Sequence, residues 1–300
     1  MRICFNNHET DLGAFLRRHL DTADLSSLAS MLRGVAPPPN PTLKDRAKSL
    51  LKDGENRFRL ASKERGIKSN ERHLFDAGSW SVALIFDPAK SNVFPDQLFL
   101  NRIASSNPNY TGWPIWMDTR SIMDERAHPK VKDGSWEVLI VSVQPGWSDH
   151  LDFFRLDPKG EFYLKRNLQD DVSDKVPTRR FLEPFIVIRR VTEAVAAGLA
   201  FANALGWKSP DARIGFAFQW NKLAGRRLES WAFPYCPFVG GGTAHDDEAV
   251  TFVDVTVDMA PSALAPVVDR ATRGLFALFD GYRVKTQLIG DTVRRVLERR

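Results

Sequence analysis

Residues that could do chemistry are few and poorly grouped. His245-Asp246-Asp247-Glu248 sets four hard-metal ligands in a row, just after Gly240-Gly241-Gly242. Neighbours on an extended chain point to opposite faces, so four consecutive ligands cannot converge on one ion without a sharp turn. The segment reads as an exposed acidic loop. The three glycines lack the Lys-Ser/Thr of a phosphate-binding loop and have no helix opening behind them. Asp157-Pro158-Lys159 has the carboxylate–lysine spacing of many metal-dependent nucleases, but these are ordinary turn formers in a turn. Glu161 and Lys165 share a strand face yet lie about 13 Å apart along the backbone. No G-x-S-x-G elbow occurs, and the six histidines are scattered through polar segments. The pattern points away from an enzyme and assigns no catalytic residue, metal or cofactor.

Two other groups could bind rather than react. The 300 residues carry 42 Lys+Arg against 37 Asp+Glu, a net charge of +5. Met1–Phe75 holds 14 basic and 9 acidic residues, and the rest of the chain balances at 28 of each. Within that block Lys44–Arg72 has ten bases and five acids, so one short segment carries the entire surplus. Such a concentration of cations suits a phosphate backbone, whose counterions it displaces. The candidate contacts are Lys44, Arg46, Lys48, Lys52, Arg57, Arg59, Lys63 and Arg65. A solvated, salt-bridged helical face is the alternative reading of the same residues. The second group is the loop Asn107–Trp116, NPNYTGWPIW. Its Tyr110, Trp113 and Trp116 could anchor a protein partner, or fold back to fill the edge of the core.

The elements that position these groups follow from hydrophobic period. Thr10 can cap a helix over 11–20, and Thr22 or Asp24 a second, to Arg33, ended by Gly34. Pro37-Pro38-Pro39-Asn40-Pro41 is stiff and extended. A third helix is expected over 42–52 and a weaker fourth over 56–65, giving a basic helical module at residues 1–75. From Ser79 the period becomes that of strands: 79–86, then 136–143, then a hairpin 151–156/161–166 closed by Asp157-Pro158-Lys159-Gly160. A short helix falls at 97–105. A long apolar helix spans 183–205 and stops at Gly206. Strands at 213–221, 228–233 and 249–257 follow, then helices at 262–279 and 286–300. The fold class is mixed α/β (α+β), with an N-terminal helical segment, a central mixed β-sheet with a hairpin at 76–175, and a C-terminal α-β-β-β-α-α unit at 176–300.

Cys4 and Cys236, the two cysteines, make neither a disulfide framework nor a zinc pair. The N-terminus reaches Glu9 and Asp11 before any apolar run, and the most apolar stretch, 194–207, is shorter than a membrane span. A cytoplasmic protein with reduced thiols and no membrane contact is expected.

The segment Trp136–Asp171, WEVLIVSV…DFFRLDPKGEFYLKRNLQDD, resembles the closing part of the AlbA_2 (Schlafen AlbA_2-type) DNA-binding domain family. There a buried strand leads to a hairpin ending in a tyrosine- and arginine-bearing strand, here Phe162-Tyr163-Leu164-Lys165-Arg166. YTGWP, LDPKGEFYL, AVAAGLAFANALGW and FDGY are similar to phrases in bacterial proteins described as DNA-binding. The Ala-Asn-x-x-Gly-Gly segment of the family has no counterpart before Trp80. The resemblance implies a mixed α/β core and a nucleic-acid role. In the nucleic-acid reading, Arg166 or Lys165 on the hairpin adds to the phosphate contacts of the Lys44–Arg72 block. The two functional expectations are therefore a non-catalytic DNA-binding or regulatory protein and, as the alternative, a protein–protein adaptor or effector subunit of a bacterial defence or regulatory system.

Overall fold

The computed structural model describes residues 2–5, 8–11, 40–143, 149–233, 235–236, 238 and 240–298, the first two segments by their backbone alone. Two compact units are present, residues 1–42 and 43–300. In the first, β1 (Arg2–Phe5) pairs antiparallel with β2 (His8–Asp11), with Phe5 opposite His8. Asp11, expected to open a helix, is the last residue of β2. The rest of that helix, the second one to Arg33 and the proline run up to 39 lie outside the described residues.

The larger unit is a seven-stranded sheet with helices on both faces. Its strands are β3 (Ser79–Asp87), β4 (Lys130–Lys132), β5 (Ser135–Ser142), β6 (His150–Asp157), β7 (Glu161–Asn167), β9 (Arg213–Asn221) and β11 (Glu248–Thr256), in the spatial order β11-β9-β3-β7-β6-β5-β4. Every pairing in this sheet is antiparallel, where a mixed sheet was expected. β8 (Phe181–Leu182) and β10 (Arg227–Leu228) form a separate parallel pair. Of the strand expected over 228–233 only Leu228 lies in a strand, as the last residue of β10. β9 and β11 lie beside β3, so the expected division near residue 175 runs through one continuous sheet rather than between two domains.

Strand alternation sorts the side chains into two layers. Trp80, Val82, Leu84 and Phe86 of β3, with Ile214, Phe216, Phe218 and Trp220 of β9, face α5 (Pro184–Leu205) and the C-terminal helices α6 (Leu264–Ala277) and α7 (Thr286–Leu297). α3 (Gln97–Ser106) adds Phe99, Leu100 and Ile103 to the same layer. α5 comes close because Gly198 has no side chain: a Cβ there would lie 2.7 Å from the Phe216 ring. Its end at Gly206, φ +86°, is the left-handed stop the sequence announces.

The other face is covered chiefly by α1 (Leu43–Arg65), which buries Ala47, Leu51, Phe58 and Ala61 against Ala83, Ile85, Phe153, Tyr163 and Ala217, with Leu74 of the short α2 (Arg72–Asp76) beside it. Two helices divided near residue 54 were expected here. The chain runs straight through because Gly54 is where the helix meets the sheet most closely, a Cβ there standing 2.3 Å from the Tyr163 ring. This glycine serves packing, not chain reversal. The 157–160 turn forms as its sequence dictates, with Gly160 N–H donating to Asp157 O at 2.9 Å. Among the described residues no helix is long and apolar enough to cross a membrane.

Candidate nucleic-acid interface

All eight basic candidates before Phe75 lie on α1, and its geometry divides them into two populations. With 3.6 residues per turn, Arg46, Arg57 and Arg65 fall on or beside the buried stripe, and acids on neighbouring elements take them up. Arg46 meets Asp87 at the end of β3, at 2.6 Å. Arg57 makes a bidentate pair with Glu137 of β5, 2.9–3.1 Å, and also reaches Asp133. Arg65 is bidentate to Glu71 at 2.7 and 2.9 Å, and both side chains are buried. That hydrogen-bonded guanidinium holds the Glu71 carboxyl down at about 2. These three arginines tie α1 to the sheet and to the segment after it. As phosphate ligands they are corrected: each guanidinium's charge is already matched by a carboxylate, so a phosphate gains little by displacing it.

Lys165 and Arg166 are corrected on the same ground and on a second. As neighbours on β7 they point to opposite faces of the sheet. Lys165 lies under α1, 2.8 Å from Glu55 and over the Phe58 ring. Arg166 is buried on the other side, its Nε donating to Asp152 at 2.7 Å and its Nη2 to Pro114 O at 2.8 Å. The two never share a surface.

The second population remains exposed. Lys44, Lys48, Lys52 and Lys63 have no acid within 4 Å among the described residues. Arg59 is exposed and makes only an i,i+4 contact with Glu55, at 3.3 Å. At 100° per residue these five fall within about 100° of arc, on one flank of the helix, and span about 28 Å of its axis. Asp45 and Glu55 share that arc; Glu55 is half-buried and engaged by Lys165 and Arg59. Asp53 and Glu64 project on the other side, Glu64 towards Lys132. The sequence identified the charge surplus correctly but not this division, because Arg46 and Arg57 are taken up by acids 41 and 80 residues away; only the Arg65–Glu71 pair is local.

The opposite flank of α1 borders a hollow of about 360 Å³ lined by Arg65, Arg126, His128, Lys130 and Lys132, together with Glu64 and Glu137. Its charges are largely matched, Arg65 to Glu71, Arg126 to Asp124 and Lys132 to Glu64. Lys130 is the one cation of this lining with no acid within 4 Å among the described residues.

The aromatic loop is not a free docking surface. Trp116 is in the core, edge-on to Phe162 and Phe201, and is corrected as a partner anchor. Trp113 is clamped: its Nε1 donates to Asp152 at 2.7 Å and its ring stacks on His150 with centroids 4.0 Å apart. Tyr110 packs half-buried against the main core. Arg190 fastens the loop from α5, donating to Thr111 Oγ1, Trp113 O and Glu193.

Two buried acids have strongly raised carboxyls, the usual sign of a reactive site. Burial pushes Asp170 up to about 6 and Glu183 up to about 7. Both are occupied structurally, Asp170 accepting from Trp231 Nε1 and Glu183 N, and Glu183 from Phe185 N and Ala232 N. The hollow beside Asp170 has about 20 Å³, room for one water and no substrate. His245 of the acidic run turns to Asp280 at 3.1 Å, and no metal-ligating group of three is found among the described residues.

Comparison with protein-family models, with curated proteins and with solved structures finds no match to this chain.

Proposed function

We propose that this protein is a non-catalytic nucleic-acid-binding protein whose phosphate contacts come from the exposed flank of α1: Lys44, Lys48, Lys52, Arg59 and Lys63. The observation that carries the reading is their alignment along about 28 Å of a rigid helix, with the four lysines free of acids among the described residues. That length spans several successive phosphates of one strand. The packing of α1 against the sheet holds the row in place, so binding does not have to order the helix. The resemblance of Trp136–Asp171 to the AlbA_2 family agrees with a nucleic-acid role, although the residues used differ from those it suggested.

The test removes equal charge from two places. Lys48→Ala/Lys52→Ala takes two cations from the flank, and Lys208→Ala/Lys285→Ala takes two exposed lysines from elsewhere. In a titration with labelled DNA the first variant binds about tenfold more weakly than the second, each lysine–phosphate contact being partly additive. Equal affinity for the two variants overturns the assignment of α1.

A further inference from the structure

Beside the basic flank of α1 the sheet does something unusual for its centre. β9, β3 and β7 are three adjacent interior strands, and on the α1 side they carry polar residues in register. Ser79 stands between Asn167 and Asn221, and Ser81 between Lys165 and Gln219. On the opposite side the same stretch presents Trp80, Arg166 and Trp220 to the core. Ser81 is used internally, accepting from Tyr163 OH at 3.2 Å. The others floor an open cleft of about 450 Å³, walled by Glu55, Phe58 and Arg59 of α1 and by Asp247 and Glu248 at the start of β11. That volume lies within the ordinary range of ligand pockets.

The groups in the cleft are available. The Gln219 and Asn221 amides have no partner among the described residues, and Asn167 donates to Leu74 O at 2.7 Å, leaving its Oδ1 without a donor among them. Gln219 and Asn221 are half-buried and open to the cleft, so their amides meet solvent there and can exchange it for a ligand. The charges lining the cleft cancel, with Arg59, Lys165 and Lys222 against Glu55, Asp247 and Glu248. A phosphate gains no net attraction there. What fits is a neutral group carrying both donors and acceptors, as a primary amide does. Arg59 belongs both to the cleft wall and to the cationic flank, so the two adjoin.

We infer that this cleft receives one unpaired nucleobase of a single strand whose backbone runs along α1, its edge read by the amides of Gln219, Asn221 and Asn167. The inference rests on the nucleic-acid reading above and deepens it, since it makes single-stranded nucleic acid the preferred class.

The test uses the full chain and three probes of about 12 nucleotides: a mixed-sequence single strand, the same backbone with every base removed, and the duplex. The single strand binds about tenfold more tightly than the abasic one, and Gln219→Ala/Asn221→Ala abolishes that difference while leaving abasic binding unchanged. Equal binding of the base-bearing and abasic strands, or a duplex bound as tightly as the single strand, removes the cleft from the account and leaves the flank standing. If none of the probes binds, the nucleic-acid reading fails, and the cleft assignment fails with it. The abasic comparison is made on the wild-type protein, so the outcome does not depend on the double variant folding.

Discussion

Replacing Arg226 by Met tests how the floor of the cleft is held. Arg226 and Asp171 are both wholly buried and form a bidentate pair at 2.6 and 2.8 Å. Arg226 also donates to Lys222 O and Phe181 O, and Asp171 accepts from Gly78 N and Arg179 N. One ion pair thus ties the start of β3, the end of β9, β8 and the short helix α4 (Gln169–Val172). Ser79 follows Gly78 directly, and Leu168 N donates to Gly78 O just beyond Asn167. Methionine fills part of the volume but leaves a buried carboxylate with two backbone donors and no counterion. Losing one partner of such a pair costs about 3–5 kcal/mol. For a unit of this size that lowers the melting temperature by about 6–20 °C near pH 7. The sign of the pH effect follows from Asp171, whose carboxyl the guanidinium holds below its ordinary value against the effect of burial. Without Arg226 burial raises it, so the variant takes up a proton sooner as pH falls and sheds its uncompensated charge. The gap between the proteins is therefore widest at neutral pH and narrows towards about pH 4. A melting shift under about 2 °C, or one that widens on acidification, refutes this reasoning.

Further outcomes follow from the other buried pairs. The folded protein holds Glu71 at about 2 against an ordinary 4.5, so its contribution is present above pH 4.5 and is lost as pH falls towards 2. Arg65→Gln removes part of this pairing, the Lys68 N–H still donating to Glu71, and lowers stability at neutral pH by about 1–3 kcal/mol while flattening the urea midpoint across that acid window. Trp113→Phe keeps the stack on His150 but takes one donor from Asp152, a cost of about 1–3 kcal/mol in chemical denaturation, with nucleic-acid affinity unchanged.

Much of the scaffold was legible because its signals are local. β9 is found over 213–221, as expected, and α5 ends at its glycine. The hairpin closes on the turn its four residues specify. The single helix α1 was not legible, since Gly54 looks like a break until Tyr163, more than a hundred residues away, is seen against it. Which cations remain free was hidden for the same reason: the acids that take up Arg46 and Arg57 sit on other strands. Part of the answer was present all the same. Alternation along EFYLKRN separates Lys165 from Arg166, and along RIGFAFQWN it sets Gly, Ala, Gln and Asn against a row of Ile, Phe and Trp. That β9 pattern marks a strand with one apolar face and one of small and polar residues, where α1 packs over Gly215 and Ala217 and the Gln219–Asn221 end stays open. The cleft itself required three strands to be brought together, which no window of sequence contains.

The most direct measurement is the salt dependence of nucleic-acid affinity for the wild-type chain and for Lys44→Ala/Lys48→Ala/Lys52→Ala/Lys63→Ala. If α1 holds phosphates, the slope of log affinity against log salt becomes shallower by about 3 for a single strand, close to one displaced counterion per lysine. An identical slope for the two proteins would mean that the cations of this helix face only water.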